Sequence, residues 1–180
     1  MISNTVTLFR MGLVLPLFIL LAMSGPGWIA LALYLGSGLL DVVDGKIARG
    51  LGESSALGAM LDLVADRLLT LAAVAGLLVH GDLGLLAACA AVILVARCNI
   101  VASFGEALAA RAALTASPLE SVKIIASFAG LGLAMMPLAR VPGTQIALAP
   151  VAETVIVLAA ALTLVTLIGY TRQAVRALAG

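Results

Sequence analysis

The chain has 180 residues, 63% of them hydrophobic and 11% charged, where an ordinary soluble domain carries about 25% charged residues. With a mean hydropathy of +1.23, it has too little interior to hide its apolar side chains, which excludes a soluble nucleotide-binding domain, a disordered regulator and a secreted disulfide scaffold. A net charge of +1 gives no basic field, so nucleic acid is not an expected partner, and 18 Gly with 6 Pro do not fit the alternation of an outer-membrane barrel.

A spanning helix needs about 20 mostly apolar residues. Six segments qualify, at 8–23, 28–44, 56–79, 83–104, 121–139 and 151–170. The expected fold class is an all-α integral membrane protein. Its six transmembrane helices form one domain over 1–180, with a polar active-site cavity at the cytoplasmic side. Turn-forming stretches separate the segments: Ser24-Gly25-Pro26-Gly27, Gly50 to Ser55, His80-Gly81-Asp82, a stretch ending at Ser117-Pro118, and Val141-Pro142-Gly143-Thr144. The first segment also has the outline of a signal peptide, with Arg10 before an apolar run and Ala22-Met23-Ser24 as a cleavage site. Five further spans make that reading unnecessary.

Basic residues set the orientation. With the N-terminus inside, Arg10, Lys46, Arg49, Arg67, Arg97, Arg111, Lys123, Arg172 and Arg176 lie toward one face, and only Arg140 toward the other. Both termini and the active site are therefore expected on the cytoplasmic side of the inner membrane.

Four of the nine acidic residues gather near the cytoplasmic ends of the second and third spans: Asp41, Asp44, Asp62 and Asp66. An Asp at mid-membrane costs roughly 2.5–3.5 kcal/mol, so such residues tend to face a polar cavity. Asp41, Asp44, Gly45 and Ala48 follow one helical stripe, and Gly58, Asp62 and Asp66 another. The short linker makes the two helices antiparallel neighbours, so the stripes are expected to converge. Four like charges cannot share a dry site unless they are protonated or neutralised. Hard oxygen ligands select Mg²⁺, Mn²⁺ or Ca²⁺, and two divalent ions would cancel the charge. Gly45, Ala48 and Gly58 leave a groove for a flat ligand, and Lys46 and Arg49 at its mouth suit phosphate. Such a set points to a metal-held pyrophosphate.

Plainer uses exist for the same residues. One interfacial Asp can simply pair with Lys46, Arg49 or Arg67, and small residues can serve close helix packing, as expected for Ala72 and Gly76. A non-enzymatic cation channel or carrier would use the aspartates as an ion path, but such a path gains nothing from Arg49.

The run from Asp41-Val42-Val43-Asp44-Gly45-Lys46-Ile47-Ala48-Arg49, through eight residues, to Gly58-Ala59-Met60-Leu61-Asp62-Leu63-Val64-Ala65-Asp66 resembles the complete signature of the CDP-alcohol phosphatidyltransferases. That resemblance implies membrane enzymes that move a phosphatidyl or similar group from a CDP-alcohol to an acceptor hydroxyl and release CMP. It casts Asp41, Asp44 and Asp62 as ligands of Mg²⁺ or Mn²⁺, and Asp66 as both general base and metal ligand. Gly45, Ala48, Arg49 and Gly58 would line the CDP pocket, and a homodimer would be expected. A catalytically silent scaffold is disfavoured by the intact aspartate set.

Asn4, Thr7 and Arg10 resemble the opening of bacterial members that make phosphatidylglycerophosphate or cardiolipin, and are candidate phosphate contacts. Helix capping and an interfacial anchor are their plainer uses. Arg97 and Lys123 are candidate contacts to acceptor phosphate, or snorkelling cations. Compared with the phosphatidylglycerophosphate synthases, Cys98 and Gly105 stand where a glutamate and an arginine are usual, and one lysine of a pair is missing. Glycerol 3-phosphate is the first acceptor expected, with phosphatidylglycerol, inositol phosphate or serine as the others. Cys89 and Cys98 read as small buried residues, His80 as an interfacial loop residue, and Glu153 as a carboxylate at the start of the sixth span.

Overall fold

The computed structural model describes residues 2–51, 56–81, 83–108, 118–136 and 148–179. Within them the side chains of 2–6, 42–51, 56, 57, 59, 102, 104–108, 118–121, 174 and 176–179 lie outside the description. The described residues form six helices: α1 (Ile2–Ala22), α2 (Gly27–Leu51), α3 (Ala56–His80), α4 (Leu85–Leu108), α5 (Pro118–Met135) and α6 (Leu148–Ala179). Each coincides with one predicted segment. α2 and α6 run well past the apolar stretches that announced them, so the first half of the aspartate motif lies on continuous helix.

The helix ends show why the turn residues stand where they do. Ser24 closes α1 at φ 52°, its N–H donating to Leu21 O, while Gly25 N donates to Leu20 O at 2.8 Å. This is a Schellman closure with serine in the left-handed position usually given to glycine. Gly81, at φ +84°, ends α3 by donating to Leu77 O. Several hydroxyls inside the helices are satisfied locally: Thr70 donates to Asp66 O, Ser127 to Lys123 O and Thr171 to Leu167 O. Such back-bonding spares a polar group from facing lipid alone.

α1 packs along α3 and also against α2, while α6 packs along both α5 and α4. Thinner seams of α3 with α4 and of α5 with α2 and α3 join the two groups. A common core joins Leu17, Tyr34, Leu77, Leu94, Leu131 and Ile156, one from each helix in turn. Gly76 packs against Leu21, whose Cβ would stand 2.5 Å from an added Cβ. The close-packing use expected for Gly76 is therefore what the structure displays.

The outer surface is apolar. Leu15, Trp28, Leu39, Met60, Leu85 and Leu158 are all exposed, as fits helices whose outer faces meet lipid. Two helices carry stretches long and apolar enough to cross a membrane, Met60–His80 and Leu148–Gln173; the apolar runs of the other four are shorter among the described residues.

Candidate active site

Three helices meet at Arg10. Its side chain, one turn beyond buried Thr7 on α1, is only 2% exposed. Nη1 donates to Asp41 Oδ1 of α2 at 2.5 Å and to Asp62 Oδ1 of α3 at 2.9 Å. The two acidic stripes thus converge, but not by direct contact. α2 and α3 touch little among the described residues, and α1 carries the group that joins them.

Asp66 lies one turn beyond Asp62 on α3. It is exposed and feels the charges of Asp41, Arg10, Lys123 and Arg67. It also stands at the edge of a cavity of about 60 Å³, whose lining includes Tyr34, Thr70, Cys98, Lys123, Ser127 and Phe128. Lys123 is buried at 4% exposure. One ionisable group of each sign therefore borders this cavity. Its inner wall is apolar, formed by Leu94, Phe128 and Leu131.

The position of the cavity follows from the helix faces. Tyr34, Gly38 and Asp41 share one stripe of α2, Asp62, Asp66 and Thr70 one of α3, and Lys123 and Ser127 one of α5. Each stripe runs from charge near the helix end to small or aromatic residues deeper in. Tyr34, Thr70, Ser127 and Phe128 escaped the sequence reading. The spacing of Tyr34 and Gly38 from Asp41 was the available signal, for they lie seven and three residues before it.

The two remaining candidate cations separate. Lys123 reaches the cavity. Arg97, also buried, turns to α6, where its Nη2 donates to Thr166 Oγ1 at 3.4 Å and its guanidinium lies 5.1 Å from the centre of the Tyr170 ring. Gly58 sits one turn before Asp62 on α3. The side chains of Asn4, Asp44, Ala48 and Arg49 and the surroundings of Gly45 lie outside the described residues. Among those residues no three His, Cys, Asp or Glu side chains form a ligand set. The donor chemistry nevertheless fits a cation, because a positive nitrogen already stands between the oxygens of Asp41 and Asp62.

Of the other singled-out residues, His80 is the last residue of α3 where a loop residue was expected, and Cys89 is exposed and Cys98 half-buried where buried positions were expected. Glu153 serves a different helix from its own. Its Oε1 accepts from Gly84 N at 2.8 Å, at the start of α4.

A sequence model of the CDP-alcohol phosphatidyltransferases matches residues 1–168. The chain belongs to that family, a class of membrane-bound transferases of phospholipid biosynthesis. A protein of Mycobacterium tuberculosis named putative cardiolipin synthase is 42% identical over 69 residues, covering 37% of this chain and 32% of the relative. A protein of Streptomyces coelicolor named cardiolipin synthase (CMP-forming) is 42% identical over 83 residues, covering 42% of this chain and 38% of the relative. The matched stretches thus span about a third of these relatives' length.

Proposed function

We propose that the protein transfers a phosphatidyl group from a CDP-alcohol, in the first place CDP-diacylglycerol, to an acceptor alcohol with release of CMP. The observation that carries this reading is the joining of Asp41 and Asp62 through one cationic nitrogen, beside a cavity bordered by Asp66 and Lys123. Glycerol 3-phosphate is the first acceptor, because Lys123 offers a buried positive charge to an anionic alcohol. Phosphatidylglycerol is the second, favoured by the names of the two relatives.

Asp41, Asp44, Asp62 and Asp66 would hold two divalent cations, Mg²⁺ or Mn²⁺, as hard oxygen donors do. When bound, these ions would screen the pyrophosphate and stabilise charge on the departing CMP. The chain supplies the rest. Gly45, Ala48, Arg49 and Gly58 receive the nucleotide, and Asn4, Thr7 and Arg10 flank its phosphates. Asp66 accepts the acceptor's hydroxyl proton as its oxygen bonds to the β-phosphorus and the pyrophosphate P–O bond breaks. An aspartate is a weak base toward an alcohol, so the proton moves late, once bond formation has acidified the hydroxyl, and proximity supplies much of the rate.

The same reading makes all six helices membrane spans, with termini and site on the cytoplasmic side of the inner membrane. The basic residues support this orientation. Donor tails then stay in lipid while nucleotide and acceptor meet water. A homodimer is part of the proposal by family likeness. The test is CMP release from CDP-diacylglycerol and Mg²⁺ by the purified protein with a panel of alcohols. Release with one acceptor names it; no release with any acceptor refutes the reading.

A further inference from the structure

Arg10 does more than anchor a helix end. A snorkelling arginine keeps its head in water, whereas this guanidinium is buried, with Nε lacking a hydrogen-bond partner. One nitrogen serves two carboxylates from two helices that touch little among the described residues. Without a cation between them, the part-exposed carboxylates of Asp41 and Asp62 would repel each other across the seam.

We propose that Arg10 is a built-in counter-cation, a positioning residue that holds the carboxylates of α2 and α3 together before any divalent ion arrives. The helix seam is then held by charge at Asp41 and Asp62, where the described residues of α2 and α3 touch little. α1 supplies the charge because, among the described residues, it packs more extensively on α2 and α3 than α5 does. Metal would enter an assembled site instead of having to gather two helices. This last step rests on the metal reading above; the clamp itself does not.

The experiment is thermal unfolding of the full chain in detergent, with EDTA and with Mg²⁺. Removing a buried guanidinium from two part-exposed carboxylates is expected to lower the melting temperature of Arg10→Gln by roughly 5 °C in EDTA. Adding Asp41→Asn should recover about half of that loss, because it removes the repulsion that Arg10 had neutralised. Mg²⁺ should narrow the gap between wild type and Arg10→Gln. Equal losses in Arg10→Gln and Arg10→Gln/Asp41→Asn overturn the clamp, since Arg10 would then only fill space. No loss in Arg10→Gln also overturns it. If Arg10→Gln yields no folded protein, folding of the double variant supports the clamp and its failure to fold refutes it. Rescue by Asp41→Asn with no effect of Mg²⁺ on either protein sustains the clamp while counting against the metal reading.

Discussion

Tyr34 of α2 lies flat on Phe128 of α5, with ring centres 4.6 Å apart and planes 16° from parallel. Its hydroxyl donates to Phe128 O at 3.3 Å. The pair forms part of the wall of the cavity beside Asp66 and fixes how closely α5 approaches α2.

Gly38 makes that approach possible, because a Cβ there would run into the Phe128 ring. Gly38→Ala is expected to cost about 1–3 kcal/mol by overpacking. Gly38→Ala/Phe128→Leu should recover part of it. Tyr34→Phe keeps the stack and loses only one hydrogen bond, so it should cost about 1 kcal/mol or less. Denaturation of the three variants in one detergent checks the order.

Two other glycines separate packing from propensity. Gly76 meets Leu21 Cβ, which cannot move without its backbone, whereas Gly12 on α1 has nothing within 4 Å of an added Cβ. Gly76→Ala should lower the melting temperature, with a cost of about 1–3 kcal/mol. Gly12→Ala should leave it unchanged or raise it, since alanine is the better helix former by about 1 kcal/mol. A matched pair of melting curves decides.

The carboxylate of Glu153 caps a helix it does not belong to. Glu153→Ala leaves Gly84 N, at the start of α4, without its acceptor and is expected to cost about 1 kcal/mol. Glu153→Gln keeps an acceptor and should lose only the charge–dipole part, about 0.3–1 kcal/mol. Amide hydrogen exchange should quicken most in the first turn of α4.

Much of this architecture was legible because charge is scarce in an apolar chain. Asp41, Asp62 and Asp66 drew attention by their cost, and helical periodicity alone put Asp41 and its neighbours on one stripe. Hydropathy located all six helices, since each turn is marked by Gly, Pro or Ser. Partnerships across distant segments were not legible. Nothing in the sequence says that Arg10 joins Asp41 to Asp62, that Arg97 faces Tyr170 while Lys123 faces the cavity, or that Glu153 reaches Gly84. Each depends on which helices become neighbours, and α1 between α2 and α3 is a packing outcome without a local signature. The polar residues of the cavity, Thr70 and Ser127, were hidden for another reason: their hydroxyls bond within their own helices, so they read as ordinary helix residues.

Asp66 and Lys123 border one cavity with opposite charges, and the proposed reaction gives them separable tasks. Asp66→Asn removes the base, and with it one proposed metal ligand, without changing its size, so at saturating Mg²⁺ kcat for CMP release should fall by at least roughly 10²–10⁴ with little change in acceptor KM. Lys123→Met keeps the length of the side chain and removes its charge. A charge-assisted hydrogen bond contributes about 1.5–3 kcal/mol, so the KM for glycerol 3-phosphate should rise roughly 10–100-fold while kcat changes less. Uncharged glycerol, a poorer acceptor at the outset, should be nearly indifferent to Lys123→Met. Steady-state CMP release with both acceptors reads the split directly. If Lys123→Met lowers kcat equally for the two alcohols, Lys123 acts on the reacting phosphate or on Asp66, and the acceptor's charge must be met elsewhere.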